Sequence, residues 1–346
     1  MTSKDKTPLY VGFGELMLRL SPSGYLKFPQ ADSFLLNYTG AEGNVAVSLT
    51  CFDMKARLVT KVPDNDIGKT AERKMAMYGV DTRFMVKGGE RLGLYYLERG
   101  ASQRPSKIIY DRKYSAISQA EPEEYDWNAI FEDATWFHFS GITAGLSPKV
   151  AQACKDACIC AKKHGVTVSC DLNYRANLWT PKEAQAVMIP MMEHVDVLIA
   201  NEEDAEKVLG VSANNTDVMK AKIDRDGYLS LAEKLTAMYN FNHVAITLRE
   251  SLSASRNLWS ALLYSPEENA FSTTYDMQVV DRVGGGDSFA AGLIYALSSK
   301  YGISESVEFA AAASCLKHSM EYDFNLSTVN DVRALMNGNG SGRVQR

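Results

Sequence analysis

The sequence predicts an α/β fold in three layers, with helices on both faces of a mostly parallel sheet and a small β-sheet lid beside it. Three observations predict it. Strand and helix signals alternate along most of the 346 residues; two stretches, 16–39 and 92–119, break that rhythm with strand-like runs; and apolar residues make up 46% of the chain, enough for a large core.

The alternation is clearest in the middle. TWFHFS (135–140) reads as a buried strand. Ser147 and Pro148 supply an N-cap and a first helical residue, and Lys162, Lys163 and His164 close the helix before Gly165. VTVSC (166–170) is the next strand, Thr180, Pro181 and Glu183 open another helix as a capping box, and VDVLIA (195–200) is the strand after it. Strand, helix, strand, helix, strand at this spacing builds βαβ units, whose ligands collect beyond the carboxyl ends of the strands. Asp171, Asn173, Arg175 and the run Asn201 to Asp204 stand there. The two exceptional stretches are rich in β-branched and aromatic residues and in turn formers, the composition of a small accessory sheet. The predicted organisation is therefore a core of residues 1–15, 40–91 and 120–336, a lid of 16–39 and 92–119, and a glycine-rich tail, 337–346.

Composition excludes several function classes. The net charge is -5 and the basic residues are scattered, so no basic face for nucleic acid or a membrane surface is expected. No apolar run approaches the roughly 20 residues of a spanning helix, and MTSKDKTPLY lacks the apolar stretch of a signal peptide. The six cysteines lack paired ligand spacing; Cys154 and Cys158, one turn apart on a helix, read as small buried apolar residues. A reducing cytoplasm fits this usage.

The chemistry centres on DRVGGGDSFAAGLIYAL (281–297). Three consecutive glycines let the backbone approach an anion closely, and the helix that follows, with Phe289, Leu293, Ala296 and Leu297 on one face, adds the positive end of its dipole. This is a phosphate cradle with Asp287 inside it. A carboxylate repels phosphate, so a proton-accepting role beside a transferring phosphoryl group explains its presence; the plain alternative is a glycine-rich turn with Asp287 as a helix cap. A P-loop is excluded because Asp287 stands where it needs Lys, and a dinucleotide fingerprint starting at Gly12 and Gly14 fails at Met17.

GGGDSFAAG resembles the signature of the ribokinase-like, or phosphofructokinase-B type, carbohydrate kinases, whose usual form is Gly-Ala-Gly-Asp. YTGAEGNVAVSL (38–49) resembles that family's second glycine-rich segment, with Val45, Leu49 and Phe52 on one side of its helix, and NEEDAE (201–206) its Asn-acidic element. The resemblance runs from about Gly12 to Asn325. It implies a ribokinase-like fold, ATP with Mg2+, and Asp287 as general base, with Gly284, Gly285 and Gly286 forming an anion hole. It further implies Asn201 and Asp204 at the metal, with Glu202 and Glu203 as alternatives to Asp204. On the nucleotide side it implies Ala312, within Ala311 to Ala313, and Asn325. Two departures stand out: LRESLSASRN replaces the family's glycine-rich turn after HVAIT (243–247), leaving Arg249 to touch phosphate or be solvated, and Glu321-Tyr322 replace a usual Pro-Gly.

Within the family, DLNYR (171–175), HFSGIT (138–143) and GAEGN (40–44) are most similar to the 2-keto-3-deoxygluconate kinases. Arg175 at a strand end can form a bidentate pair with a substrate carboxylate, or a structural ion pair with Asp171. The resemblance adds Tyr95, Tyr110 and Arg112 on the lid, Gly40 and Asn44, and Asp171 and Asn173 as sugar-acid contacts; the plain alternative for Tyr95 is core of the small sheet. The expected activity is ATP-dependent phosphorylation of the terminal hydroxyl of 2-keto-3-deoxygluconate. A fructokinase is the alternative within the class, and a non-catalytic sugar sensor the alternative outside it. Phe34, Leu35 and Leu36, apolar residues on the lid, point to a dimer through the lids or to packing within one subunit.

Overall fold

A computed structural model describes residues 8–212 and 224–338 of the chain. The start of the chain and residues 339–346 of the expected tail lie outside the described residues. The fold is the predicted ribokinase-like one: a large, mostly parallel sheet between two helical layers, with a smaller separate sheet.

Six strands of the large sheet run parallel, in the spatial order His243–Ser251, Val197–Ala200, Thr167–Asp171, Trp136–Ser140, Leu9–Phe13, Lys55–Val59. An antiparallel edge follows: Arg256–Tyr264 pairs with His243–Ser251, and carries Asn269–Phe271 and Tyr275–Gln278 on its far side. The segment that departs from the family's glycine-rich turn is thus the tip of a long hairpin.

Strand alternation sends side chains into two separate cores. Val11, Phe13, Phe137, Phe139, Leu198 and Ala200 join one, against helices Pro148–Lys163, Pro181–Met188, Glu202–Leu209 and Arg225–Tyr239. Tyr10, Trp136, Val197 and Ile199 join the other, against Ala41–Cys51, Gly285–Ser298 and Ile303–His318. The capping signals are realised. Ser147 Oγ accepts from Val150 N at 3.3 Å, and Thr180 forms its box with Glu183, each worth on the order of 1 kcal/mol. Cys154, Cys158 and Cys170 are buried in the first core, where desolvation pushes all three thiols up and leaves them neutral. Among the described residues no cluster of three His, Cys, Asp or Glu is set to hold a metal, and no helix is long and apolar enough to cross a membrane.

The small sheet has the order Leu35–Thr39, Met17–Ser21, Gly93–Glu98, Lys107–Asp111, drawn from both exceptional stretches. Its pleat divides it. One face turns Met17, Arg19, Thr39, Tyr95 and Tyr110 toward the large sheet; the other lines up Leu36, Leu20, Tyr96 and Ile109 in register across all four strands.

Helices Gly285–Ser298 and Ile303–His318 pack so closely that a Cβ on Gly292 would lie 2.8 Å from Ala310 Cα and 3.2 Å from Ala313 Cβ. Gly292→Val should force the pair apart and lower unfolding stability by roughly 1–3 kcal/mol, read as a lower urea midpoint with unchanged slope.

Candidate active site

The two sheets enclose a cleft of about 810 Å³ at the carboxyl ends of the parallel strands. Its floor is the start of the helix Gly285–Ser298. The three glycines have three separate reasons to be glycine. Gly284 caps the helix at φ 84°, and a Cβ there would lie 2.0 Å from the Asp323 carbonyl oxygen. At Gly285 a Cβ would lie 2.3 Å from the His318 ring, and this is the position where the family pattern usually has Ala. Gly286 meets nothing within 4 Å; it opens the backbone to the cleft. The cap of the helix is Gly284, so the alternative in which Asp287 is a mere N-cap does not hold.

Asp287 lies in the first turn, where its Oδ2 accepts from Asn44 Nδ2 at 2.6 Å. Its carboxyl is pushed up to about 7, first by desolvation and then by Glu42 and Asp323, while the Asn44 donor pulls the other way. Part of its surface still opens to the cleft, so this is a carboxyl in a narrow protein-walled pocket, not a sealed one. Asn44 sits on the buried helix Ala41–Cys51, with Val45, Leu49 and Phe52 buried behind it. Gly40, the residue before that helix, lines the cleft and has no room for a side chain, because its Cβ would fall 2.0 Å from the Glu15 carbonyl oxygen.

The wall beyond the strand Thr167–Asp171 carries Asp171, Asn173 and Arg175. Asn173 holds a left-handed backbone at φ 38°, which Asn tolerates better than most residues and which turns the chain so that Arg175 reaches the cleft. Arg175 donates to the Tyr174 carbonyl at 2.8 Å and pairs with no carboxylate among the described residues, so the ion pair with Asp171 is not formed. Desolvation, then Asp204 and Asp287, pushes Asp171 well up. Arg249 and Arg282 line the same cleft; desolvation, then Arg282 and Arg175, lowers Arg249 from its ordinary value even though part of its surface is open. Three guanidinium groups facing one cleft suit an anionic ligand.

On the small sheet Tyr95, Tyr110 and Arg112 all line the cleft. Tyr95 is buried and donates its hydroxyl to Asp323; its ring packs on Tyr110 at 5.9 Å. It is thus both core of that sheet and cleft wall. Arg112 is held by the buried Glu15, with Nε donating to Glu15 Oε2 at 2.8 Å.

Asn201 lines the cleft and caps the helix Glu202–Leu209 with its amide oxygen, which accepts from Asp204 N at 2.9 Å and keeps a second lone pair. One expectation needs correction. Ala312 and Asn325 do not reach the cleft: Ala312 is sealed in the second core, and Asn325 is buried behind the glycine helix, donating to Ser288 Oγ at 2.8 Å and to the Ala313 carbonyl. Small apolar residues on a helix between two layers serve packing, and that pulls them inward. Asp204 is at the cleft, one oxygen accepting from Tyr174 N at 3.0 Å, its carboxyl raised to about 6 mainly by desolvation.

The structure also adds residues absent from the sequence reading: Glu15 behind Arg112, Glu42 beneath the floor, Thr39 and Asp323 behind Asn44. Asp323 directly follows Glu321-Tyr322, the pair that departs from the family's usual Pro-Gly, and an acid there is the available signal.

The pfkB family carbohydrate kinase pattern matches residues 10–322. The chain belongs to that family. A 2-dehydro-3-deoxygalactonokinase from Haloferax volcanii is 31% identical to this carbohydrate kinase over 96% of its length and 98% of the relative's. A crystal structure of a 2-dehydro-3-deoxygluconokinase from Thermotoga maritima superposes with a TM-score of 0.92 at 50% identity, covering 96% of this chain and all of that one. A fructokinase with bound ATP from Xylella fastidiosa, 19% identical with a TM-score of 0.78 and 97% of this chain covered, shares the fold.

Proposed function

We propose that this carbohydrate kinase transfers the terminal phosphoryl group of ATP to the terminal hydroxyl of 2-keto-3-deoxygluconate, with Asp287 as the general base. The observation that carries the reading is one cleft holding both halves of the chemistry: a carboxylate at the mouth of a glycine-built helix, and in the same cleft the guanidinium of Arg175 with no carboxylate partner among the described residues. The relative at 50% identity bears the name of that activity. The relative named for the galactono substrate makes the epimer the nearest alternative, and fructose is the alternative without a carboxylate.

Asp287 accepts the proton of the attacking hydroxyl, and Asn44 keeps it ionised enough to do so. The free amides around Gly286, at the positive end of the helix, stabilise charge that grows on the transferred phosphoryl. Arg249, Arg282 and the NH2 of Asn201 bind phosphate oxygens. Arg175 and Arg112 hold the sugar-acid carboxylate, and Tyr95 and Tyr110 form the wall that excludes water when the lid covers the acceptor. Hard oxygen donors at Asp204 and Glu203 fit magnesium held through its own waters, and the ion would neutralise charge on the phosphates. A cytoplasmic enzyme fits the neutral, unpaired cysteines. For the assembly we propose a dimer through the lids, because the row Leu36, Leu20, Tyr96 and Ile109 ends on two exposed apolar residues, Leu36 at 52% and Ile109 at 46%, with Leu20 and Tyr96 half-buried between them.

Three measurements check these statements. Because Asp287 must be ionised and its carboxyl lies near 7, kcat/KM should fall about tenfold per pH unit below that value. A profile flat down to pH 5 contradicts the base. In a substrate panel with ATP, the keto-deoxy acid should be turned over far better than fructose, and Arg175→Ala should raise KM for the acid roughly tenfold to a hundredfold, the worth of a charge-assisted pair. Equal losses for a neutral sugar remove the carboxylate role. Leu36→Asp together with Ile109→Asp should halve the mass seen in sedimentation at micromolar protein; an unchanged mass excludes the lid interface.

A further inference from the structure

The small sheet also grips the large one at the rim of the cleft, away from the buried pairs of Asp323. The loop between strands Gly93–Glu98 and Lys107–Asp111 ends in a tight turn, closed by Ala101 and Arg104, whose backbones exchange two hydrogen bonds of 2.9 Å. Ser102, the first corner of that turn, holds a left-handed backbone at φ 53°, the sign that a two-residue hairpin turn demands there. Its backbone bonds twice to the tip of the long hairpin of the large sheet. Ser102 N donates to Ser255 Oγ at 2.9 Å, and the Ser102 carbonyl accepts from Ala254 N at 2.8 Å. Arg99, from the same loop, pairs with Glu321 at 2.9 Å. Ala254, Ser255 and Glu321 all lie in the two segments where the chain departs from the family pattern, so both departures meet the same lid loop.

On its other side Ala254 is bonded to the cleft. Its carbonyl accepts from Arg282 Nη2 at 3.1 Å, and Arg282 lines the cleft just before the three glycines. That guanidinium has no carboxylate partner among the described residues, so its other N–H groups are left for an anion. A guanidinium is planar and rigid, and holding one edge of it fixes the direction in which the rest point.

We propose that the lid turn at Ser102 positions Arg282 for the phosphates of ATP: Ser102 and Ser255 hold Ala254, and Ala254 holds the guanidinium. The proposal rests on Arg282 as a phosphate ligand. The sheet that walls the acceptor with Tyr95 and Tyr110 thereby supports the donor side as well, through backbone groups that touch neither substrate.

Ser255→Ala with Glu321→Gln removes the side-chain half of this clasp and leaves every cleft residue named above in place. With the acceptor that the substrate panel turns over best held saturating, KM for ATP should rise about threefold to tenfold in this double variant, the worth of one neutral hydrogen bond and one exposed ion pair. KM for the acceptor should change by less than about twofold, whereas a lid merely loosened would raise that constant instead. The same two substitutions made in Arg282→Ala should raise KM for ATP by less than about twofold further, because the residue they act through is gone. Arg282→Met replaces the alanine in this cycle if the alanine variant does not fold. An equal rise with and without Arg282, a rise confined to the acceptor, or no rise at all overturns this proposal alone. An Arg282→Ala enzyme with an unchanged KM for ATP overturns the phosphate role of Arg282 and the proposal with it, and leaves Asp287 and Arg175 as they stand.

Discussion

Arg19 is the point on which the cleft depends. It comes from the small sheet, is 1% exposed, and donates to Asp281 on one side and Asp323 on the other. Asp281 also accepts from Val283 N at 3.1 Å, which shapes the turn that leads into the three glycines. Lys317, equally sealed and lowered to about 8 by desolvation, adds a second cation that donates to the Asp281 carbonyl at 3.0 Å. Two cations and two carboxylates thus leave water together. Such a cluster adds little to net stability, but removing one member strands a buried charge at about 3–5 kcal/mol. Its effect is positional: the small sheet, the glycine turn and the loop after Ile303–His318 cannot shift independently.

The cleft is an electrostatic compromise. Asp287, Asp171, Asp204 and Glu42 crowd one region and each is raised, mainly by desolvation. Arg175, Arg249 and Arg282 face them without being consumed in ion pairs among the described residues. Carboxylates held poorly ionised and guanidinium groups held poorly neutralised are costly for a folded protein and useful for a catalyst, since incoming phosphate and sugar acid supply the missing charge.

Much of this was readable in the chain. Cap residues such as Ser147 and Thr180, the switch from helical rhythm to strand runs at 16–39 and 92–119, and the glycines before Asp287 are local signals, and local signals survive without coordinates. What was hidden is long-range. Asp323 meets Arg19, Tyr95 and Thr39 across separations of 304, 228 and 284 residues, and no spacing rule reports such contacts. Ala312 and Asn325 misled for the opposite reason: their motif is genuine, but its side chains pack against the back of the glycine helix instead of facing ligand.

Gly285 and His318 complete one another like a key and its ward. The His318 ring fills the space a methyl group would take, is 4% exposed, is lowered to about 4 by burial, and donates from Nδ1 to the Ser314 carbonyl at 2.7 Å. The two sites are therefore coupled: in this chain a methyl group at 285 requires the ring at 318 to move aside or shrink, so the cost of that substitution is set by a residue 33 positions away in sequence.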